Sequence, residues 1–108
     1  AQRQWVALDS IDTVATSLGA KQVCQQAFEL SQQRPVISHV LSDADALDAC
    51  ERFLLDHRLL VEPACGAALA LAYAPSEALR AFRRVLVVVC GGVTATHEQI
   101  QQWREALR

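Results

Sequence analysis

Apolar residues at Ile11, Val14, Ala15 and Leu18 recur at i, i+3, i+4 and i+7, which is one face of a short helix. Asp9 or Ser10 would cap it, and Gly19 would stop it. "AKQV" follows as a brief extended piece, then a second helix over about Val23 to Gln33 that Arg34-Pro35 ends. "VISHVLS", Val36 to Ser42, reads as a strand. Ser42 with acids in the next turn starts a helix that runs to about His57. Its period turns Leu47, Cys50 and Leu54 inward and Asp48, Glu51 and Arg52 outward. "LLVEP", Leu59 to Pro63, is a short strand, and Pro63 suits the first position of the helix after it. That helix, "ACGAALALAY", is small or apolar throughout, which means burial on most sides and close neighbours. "APSEALRAF" reads as a surface turn with a helical stretch, and Val85 to Val89 as a buried strand. Thr94 or Thr96 caps a last helix with Ile100, Trp103 and Leu107 on one face.

Strands that alternate with helices, one of them apolar on both faces, predict an α/β fold with parallel pairing. The 108 residues suit one unit, and no linker, low-complexity segment or repeat divides them. With 52% hydrophobic and 20% charged residues the chain is too apolar for disorder. Its apolar runs are too short to cross a bilayer, and no signal pattern opens it. A net charge of −2, with one lysine and nine arginines and no basic block, gives no electrostatic case for nucleic acid or a membrane surface. The expected setting is the cytoplasm, with the four cysteines (24, 50, 65, 90) reduced. They form no CxxC pair, and the histidines stand at no metal-ligand spacing from them. The chain contains no methionine and does not begin with one, so we expect it to be a piece of something larger.

In open α/β sheets ligands collect beyond the carboxyl ends of strands. Two such ends carry usable chemistry, Val61-Glu62-Pro63 and Val89-Cys90-Gly91-Gly92. Taken alone, a cysteine there is a small core residue, Gly-Gly a turn and Glu62 an acid favoured by a helix dipole.

The residues around these ends carry more. "LVEPACGAALALAY" followed by "RRVLVVVCGG", preceded by "LDSIDTVATSLGAKQV" and "PVISHVLSDADALDACERFLLDHRLLVEP", resembles the C-terminal part of the L-serine dehydratases. These are pyridoxal-phosphate enzymes of the tryptophan-synthase-β-like fold type II, and the resemblance covers nearly the whole chain. It is to the animal-type enzymes. Related serine racemases and threonine deaminases usually carry serine where Cys90 stands, which counts against both without excluding them. The resemblance implies that residues 1–108 are the C-terminal portion of the large cofactor-binding domain. That domain is an open, mainly parallel sheet with flanking helices, incomplete in this chain. It also implies β-elimination of L-serine, and of L-threonine, to pyruvate or 2-oxobutanoate and ammonia. The complete enzyme would be a homodimer.

By the same resemblance Cys90 faces N1 of the cofactor's pyridine ring. A thiol, with an ordinary pKa of about 8.5, is neutral near pH 7 and offers only a weak hydrogen bond. The ring nitrogen should then stay largely unprotonated, which favours rapid loss of a β-hydroxyl over transamination. Gly91 and Gly92 would let the backbone pass close under the ring, and Glu62 would stand near the pocket. The carbonyls of Leu18 and Ala20 would help hold a monovalent cation such as potassium. Gly19 between them equally well marks a left-handed helix stop. Gly66 is expected to serve tight helix packing.

The departures are as informative. The family's Schiff-base lysine lies in a Ser-x-Lys-x-Arg-like motif, and the lone Lys21, in "LGAKQV", matches another place. The phosphate-cradling glycine loop and the asparagine loop for the substrate carboxylate have no counterpart here. The chain therefore needs the remainder of the enzyme, and no catalytic residue is expected within it. The other reading is a non-catalytic α/β module that kept this piece of fold for binding or assembly.

Overall fold

The computed structural model describes residues 4–74 and 77–108. Pro75 and Ser76, in the turn expected before "EALRAF", lie outside the described residues. The elements are a 3-10 turn at Thr16–Leu18 and five α-helices: α1 Gln25–Gln33, α2 Asp43–His57, α3 Pro63–Tyr73, α4 Glu77–Arg80 and α5 His97–Ala106.

Helix α2 begins where the sequence says. The Ser42 hydroxyl accepts from the Asp45 N–H at 3.1 Å, and the Asp45 carboxylate accepts from the Ser42 N–H at 3.0 Å. This reciprocal box satisfies two donors that the first helical turn leaves free. The hydrogen bonds from Ser42 hold the Asp45 carboxyl below its ordinary value. Arg58, in the left-handed region at φ 59°, stops the helix. Pro63 opens α3 with Glu62 as N-cap. Thr96, rather than Thr94, caps α5 through the Gln99 N–H at 3.2 Å.

Helices α2 and α3 form the centre. Leu47, Ala49 and Cys50 of α2 pack with Cys65, Leu69 and Ala70 of α3, and with Val61, Ala95 and Ile100. The approach is close because Gly66 has no side chain. A Cβ there would stand 2.1 Å from the Ala46 carbonyl oxygen and 2.5 Å from the Cys50 sulfur. The expectation for Gly66 thus holds. Arg104 of α5 ties that helix to α2 through Asp48, at 2.7 Å, and Glu51.

Three expectations fail. The helix over Ile11–Leu18 shrinks to one 3-10 turn. Its backbone is claimed from outside: the Asp43 carboxylate accepts from the Val14 N–H at 2.9 Å and from the Thr13 hydroxyl. Thr13 Oγ1 in turn accepts from the Ala15 N–H at 3.1 Å. Side-chain bonds of this kind compete with helical ones. Gly19 is no left-handed stop either, with φ −77°; its missing Cβ instead spares the Thr16 carbonyl and Ile11. Leu107 is half exposed, since α5 ends before it.

The expected sheet is not formed among the described residues. No strand occurs among them, and the expected Val85–Val89 strand is not buried: Leu86 is 89% and Val88 66% exposed. In the Val36–Ser42 segment Val40 is likewise 89% exposed. Strands form as ladders, and these segments lie without a ladder partner among the described residues. The radius of gyration, 15.0 Å, exceeds the roughly 13 Å of a well-packed domain of this length. The helical centre is packed, while apolar segments around it present open faces.

Candidate functional site

The two chemically interesting segment ends lie together. The Glu62 N–H donates to the Gly91 carbonyl at 3.0 Å. The start of α3 thus meets the Cys90-Gly91-Gly92 turn at main-chain contact. Gly92 explains how this is possible. A Cβ at that position would stand 2.3 Å from the Leu60 carbonyl oxygen and 2.9 Å from the Val61 Cα. Only a glycine lets the turn lie on the Leu60–Val61 backbone. Gly91 serves a different end. Its φ of +143° is rarely open to an L side chain, yet a Cβ would meet nothing within 4 Å. Gly91 therefore faces open space, and the Cys90 thiol beside it is exposed.

Two buried thiols hold this corner from below. Cys50 donates to the Glu62 carbonyl at 3.3 Å, and burial pushes its thiol up to about 11. Cys65, in the first turn of α3, accepts from the Cys90 N–H at 3.2 Å and donates to the Gly91 carbonyl at 3.4 Å.

The Glu62 side chain holds the corner from above. Its carboxylate accepts from the Ser17 hydroxyl at 2.9 Å and from the Thr94 hydroxyl. Those bonds, Thr94's first and then Ser17's, hold the carboxyl below its ordinary value. Ser17 precedes Leu18, so the Leu18-Gly19-Ala20 loop is tied to the same corner. The Leu18 carbonyl accepts from the Ala20 N–H at 2.9 Å, which leaves it a second lone pair.

The structure thus gathers Glu62, Cys90, Gly91 and Gly92 into one cluster, with Leu18 and Ala20 joined to it through Ser17. Lys21 takes another part: its ammonium donates to the Asp9 carbonyl at 2.9 Å. Sequence reading missed Ser17, Cys65 and Thr94 as parts of the corner. Each sits within three residues of one that it named, but no spacing rule marks a hydroxyl that bonds a carboxylate, or a thiol that bonds backbone, across the fold. Two concavities lie elsewhere. Their volumes are about 610 Å³ and 390 Å³, and His39, Val40 and Leu41 line both. Among the described residues no cluster of His, Cys, Asp or Glu suits a metal ion, and no helix is long and apolar enough to cross a membrane.

Comparison with known proteins gives the corner its context. The chain is 43% identical over 105 residues to a serine dehydratase-like protein of Mus musculus, covering 90% of this chain and 32% of that one. It is 39% identical over 112 residues to the L-serine dehydratase/L-threonine deaminase of Homo sapiens, covering 94% and 34%. A fungal L-serine ammonia-lyase from Rhizomucor miehei superposes with a TM-score of 0.80 at 34% identity, covering 94% of this chain and 34% of that one. The chain spans about a third of the length of each of these relatives. The sequence profile of the pyridoxal-phosphate dependent enzymes matches residues 1–91, which include the whole corner up to Gly91. This match, over most of its length, places the chain in the family of pyridoxal-phosphate dependent enzymes.

Proposed function

We propose that this chain forms the ring-nitrogen side of the cofactor domain of an L-serine dehydratase that also accepts L-threonine. The observation that carries the reading is the Cys90-Gly91-Gly92 turn. It is an exposed thiol beside open space, on a backbone seated against Leu60–Val61. A flat pyridine ring with one nitrogen acceptor fits such a place. The names of the relatives, serine dehydratase-like and L-serine dehydratase/L-threonine deaminase, support the substrate class.

Bound pyridoxal phosphate supplies the electron withdrawal that makes the substrate's Cα–H acidic and lets the β-hydroxyl leave as water. This chain's residues tune that capacity. The Cys90 thiol would offer the ring nitrogen a weak, neutral hydrogen bond, where a carboxylate would hold a proton on it. Gly91 leaves room for the ring, and Gly92 fixes the height of the turn. Glu62, through Thr94 and Ser17, keeps the turn and the Leu18-Gly19-Ala20 loop in register. The carbonyls of Leu18 and Ala20 are the oxygen donors for a potassium-like ion. The amine that holds the cofactor covalently comes from residues beyond this chain. So do the strands that pair with the Val36–Ser42, Leu59–Glu62 and Val85–Val89 segments into an open, mainly parallel sheet. Their exposed valines and leucines supply the apolar surface for that packing. In this reading the complete enzyme is a cytoplasmic homodimer.

The test is direct. The complete protein, loaded with pyridoxal phosphate, should release pyruvate and ammonia from L-serine and 2-oxobutanoate from L-threonine. One methyl separates the substrates, worth about 1–3 kcal/mol in a pocket, so both should react at rates within about two orders of magnitude. A protein that binds the cofactor and yields neither product with either amino acid overturns the proposal.

A further inference from the structure

We infer that Cys65 is a positioning residue that sets where the Cys90 thiol stands. The inference rests on the reading of Cys90 as the ring-nitrogen partner. Cys65 is 3% exposed, and its sulfur touches the turn at two main-chain atoms. It accepts from the Cys90 N–H at 3.2 Å and donates to the Gly91 carbonyl at 3.4 Å. A single atom thus spans the residue that carries the thiol, from its N–H to the carbonyl of the next residue. Residues 90 and 91 cannot change their dihedral angles without breaking one of the two bonds.

The two bonds are not equivalent. The Gly91 carbonyl has a second donor in the Glu62 N–H at 3.0 Å. The acceptor role therefore matters most, because it is the bond that the part-buried Cys90 N–H makes to the protein. A cysteine that only filled volume would not need both its donor and its acceptor directed at one turn. Cys65 is itself fixed by α3, whose next residue, Gly66, lies against α2. The placement of the thiol is thereby referred to the close contact between α2 and α3. The hydrogen bonds of Cys65 to the turn are to backbone alone, and it acts on the cofactor through Cys90.

The experiment compares Cys65→Ala, Cys65→Ser and Cys90→Ala in the complete holoenzyme. It reads amide hydrogen exchange at Cys90, the cofactor's absorption maximum and its ring ¹⁵N resonance. In Cys65→Ala the Cys90 amide should exchange about five- to tenfold faster, the loss of one hydrogen bond. The ring resonance and absorption should move in the direction they take in Cys90→Ala. Cys65→Ser keeps a donor and an acceptor at shorter reach, so it should fall between wild type and Cys65→Ala. If Cys65→Ala does not fold, faster Cys90 exchange with a partial ring shift in Cys65→Ser supports the inference, and wild-type values for both overturn it. A ring signal that moves in Cys90→Ala but stays at its wild-type value in Cys65→Ala overturns the role of Cys65. So does Cys90 exchange that is unchanged in Cys65→Ala. A ring signal that stays fixed in Cys90→Ala itself overturns the underlying reading of Cys90, and with it this inference.

Discussion

Replacing Gly66 with alanine sets two effects of opposite sign against each other. Intrinsic propensity favours alanine in the middle of α3 by about 0.8–1.0 kcal/mol. Packing opposes it. The new methyl would stand 2.1 Å from the Ala46 carbonyl oxygen, 2.5 Å from the Cys50 sulfur and 2.9 Å from the Ala46 carbonyl carbon. Two of these three atoms are backbone of α2, so no rotamer change removes the clash. The third belongs to a buried cysteine whose thiol bonds the Glu62 carbonyl. Relief requires α2 and α3 to part by about an ångström, at the contact that buries Leu47, Cys50 and Leu69. Overpacking of this kind costs about 1–3 kcal/mol, and more where the obstacle is backbone. With the cost at the upper end of that range and the propensity gain subtracted, the net expectation is a loss of about 2 kcal/mol. Urea unfolding followed by circular dichroism measures it, read as a lower midpoint at unchanged slope. A midpoint equal to or above that of the wild type would refute the reasoning, since propensity would then outweigh the contact.

Other substitutions probe the corner and the helix ends. Gly92→Ala should lower cofactor affinity at least tenfold, because the turn must rise off the Leu60 carbonyl; titration with pyridoxal phosphate followed by absorbance checks it. Ser42→Ala removes the α2 cap and should cost about 1 kcal/mol in the same urea assay. Arg104→Ala breaks the link from α5 to Asp48 and Glu51. With Asp48 exposed, the cost should be about 1 kcal/mol or less and should shrink in 1 M salt. Glu62 has a carboxyl held below its unfolded value of 4.5. Its contribution to stability is therefore complete above that value and lost as pH falls through the lower folded value. Glu62→Gln should flatten this acid limb of a Tm-against-pH curve.

The parts of the fold legible in the sequence are those set by local chemistry. Ser42, Pro63 and Thr96 each mark a helix start by a hydrogen bond or a fixed φ within one turn. Gly66 was legible because a helix of small apolar residues has few other uses. The Ile11–Leu18 helix is lost because the Val14 N–H donates to Asp43, 29 residues away, and no local pattern reports that. The strands were read from apolar runs, which report a demand for burial but not which segment meets it. The same division holds at the site. Resemblance pointed to Cys90, Gly91, Gly92 and Glu62, and the fold gathers them. Cys65, Ser17 and Thr94 join that corner by hydrogen bonds across 25 to 45 residues of chain, beyond any periodicity.

The central claim is that a thiol at position 90 leaves the cofactor's ring nitrogen unprotonated and so directs the reaction to elimination. Cys90→Asp in the complete holoenzyme, with the ring nitrogen labelled with ¹⁵N, tests it most directly. The account predicts a resonance moved to the protonated position, together with a larger share of transamination relative to pyruvate formation. A resonance and a product ratio that both match the wild type would contradict it.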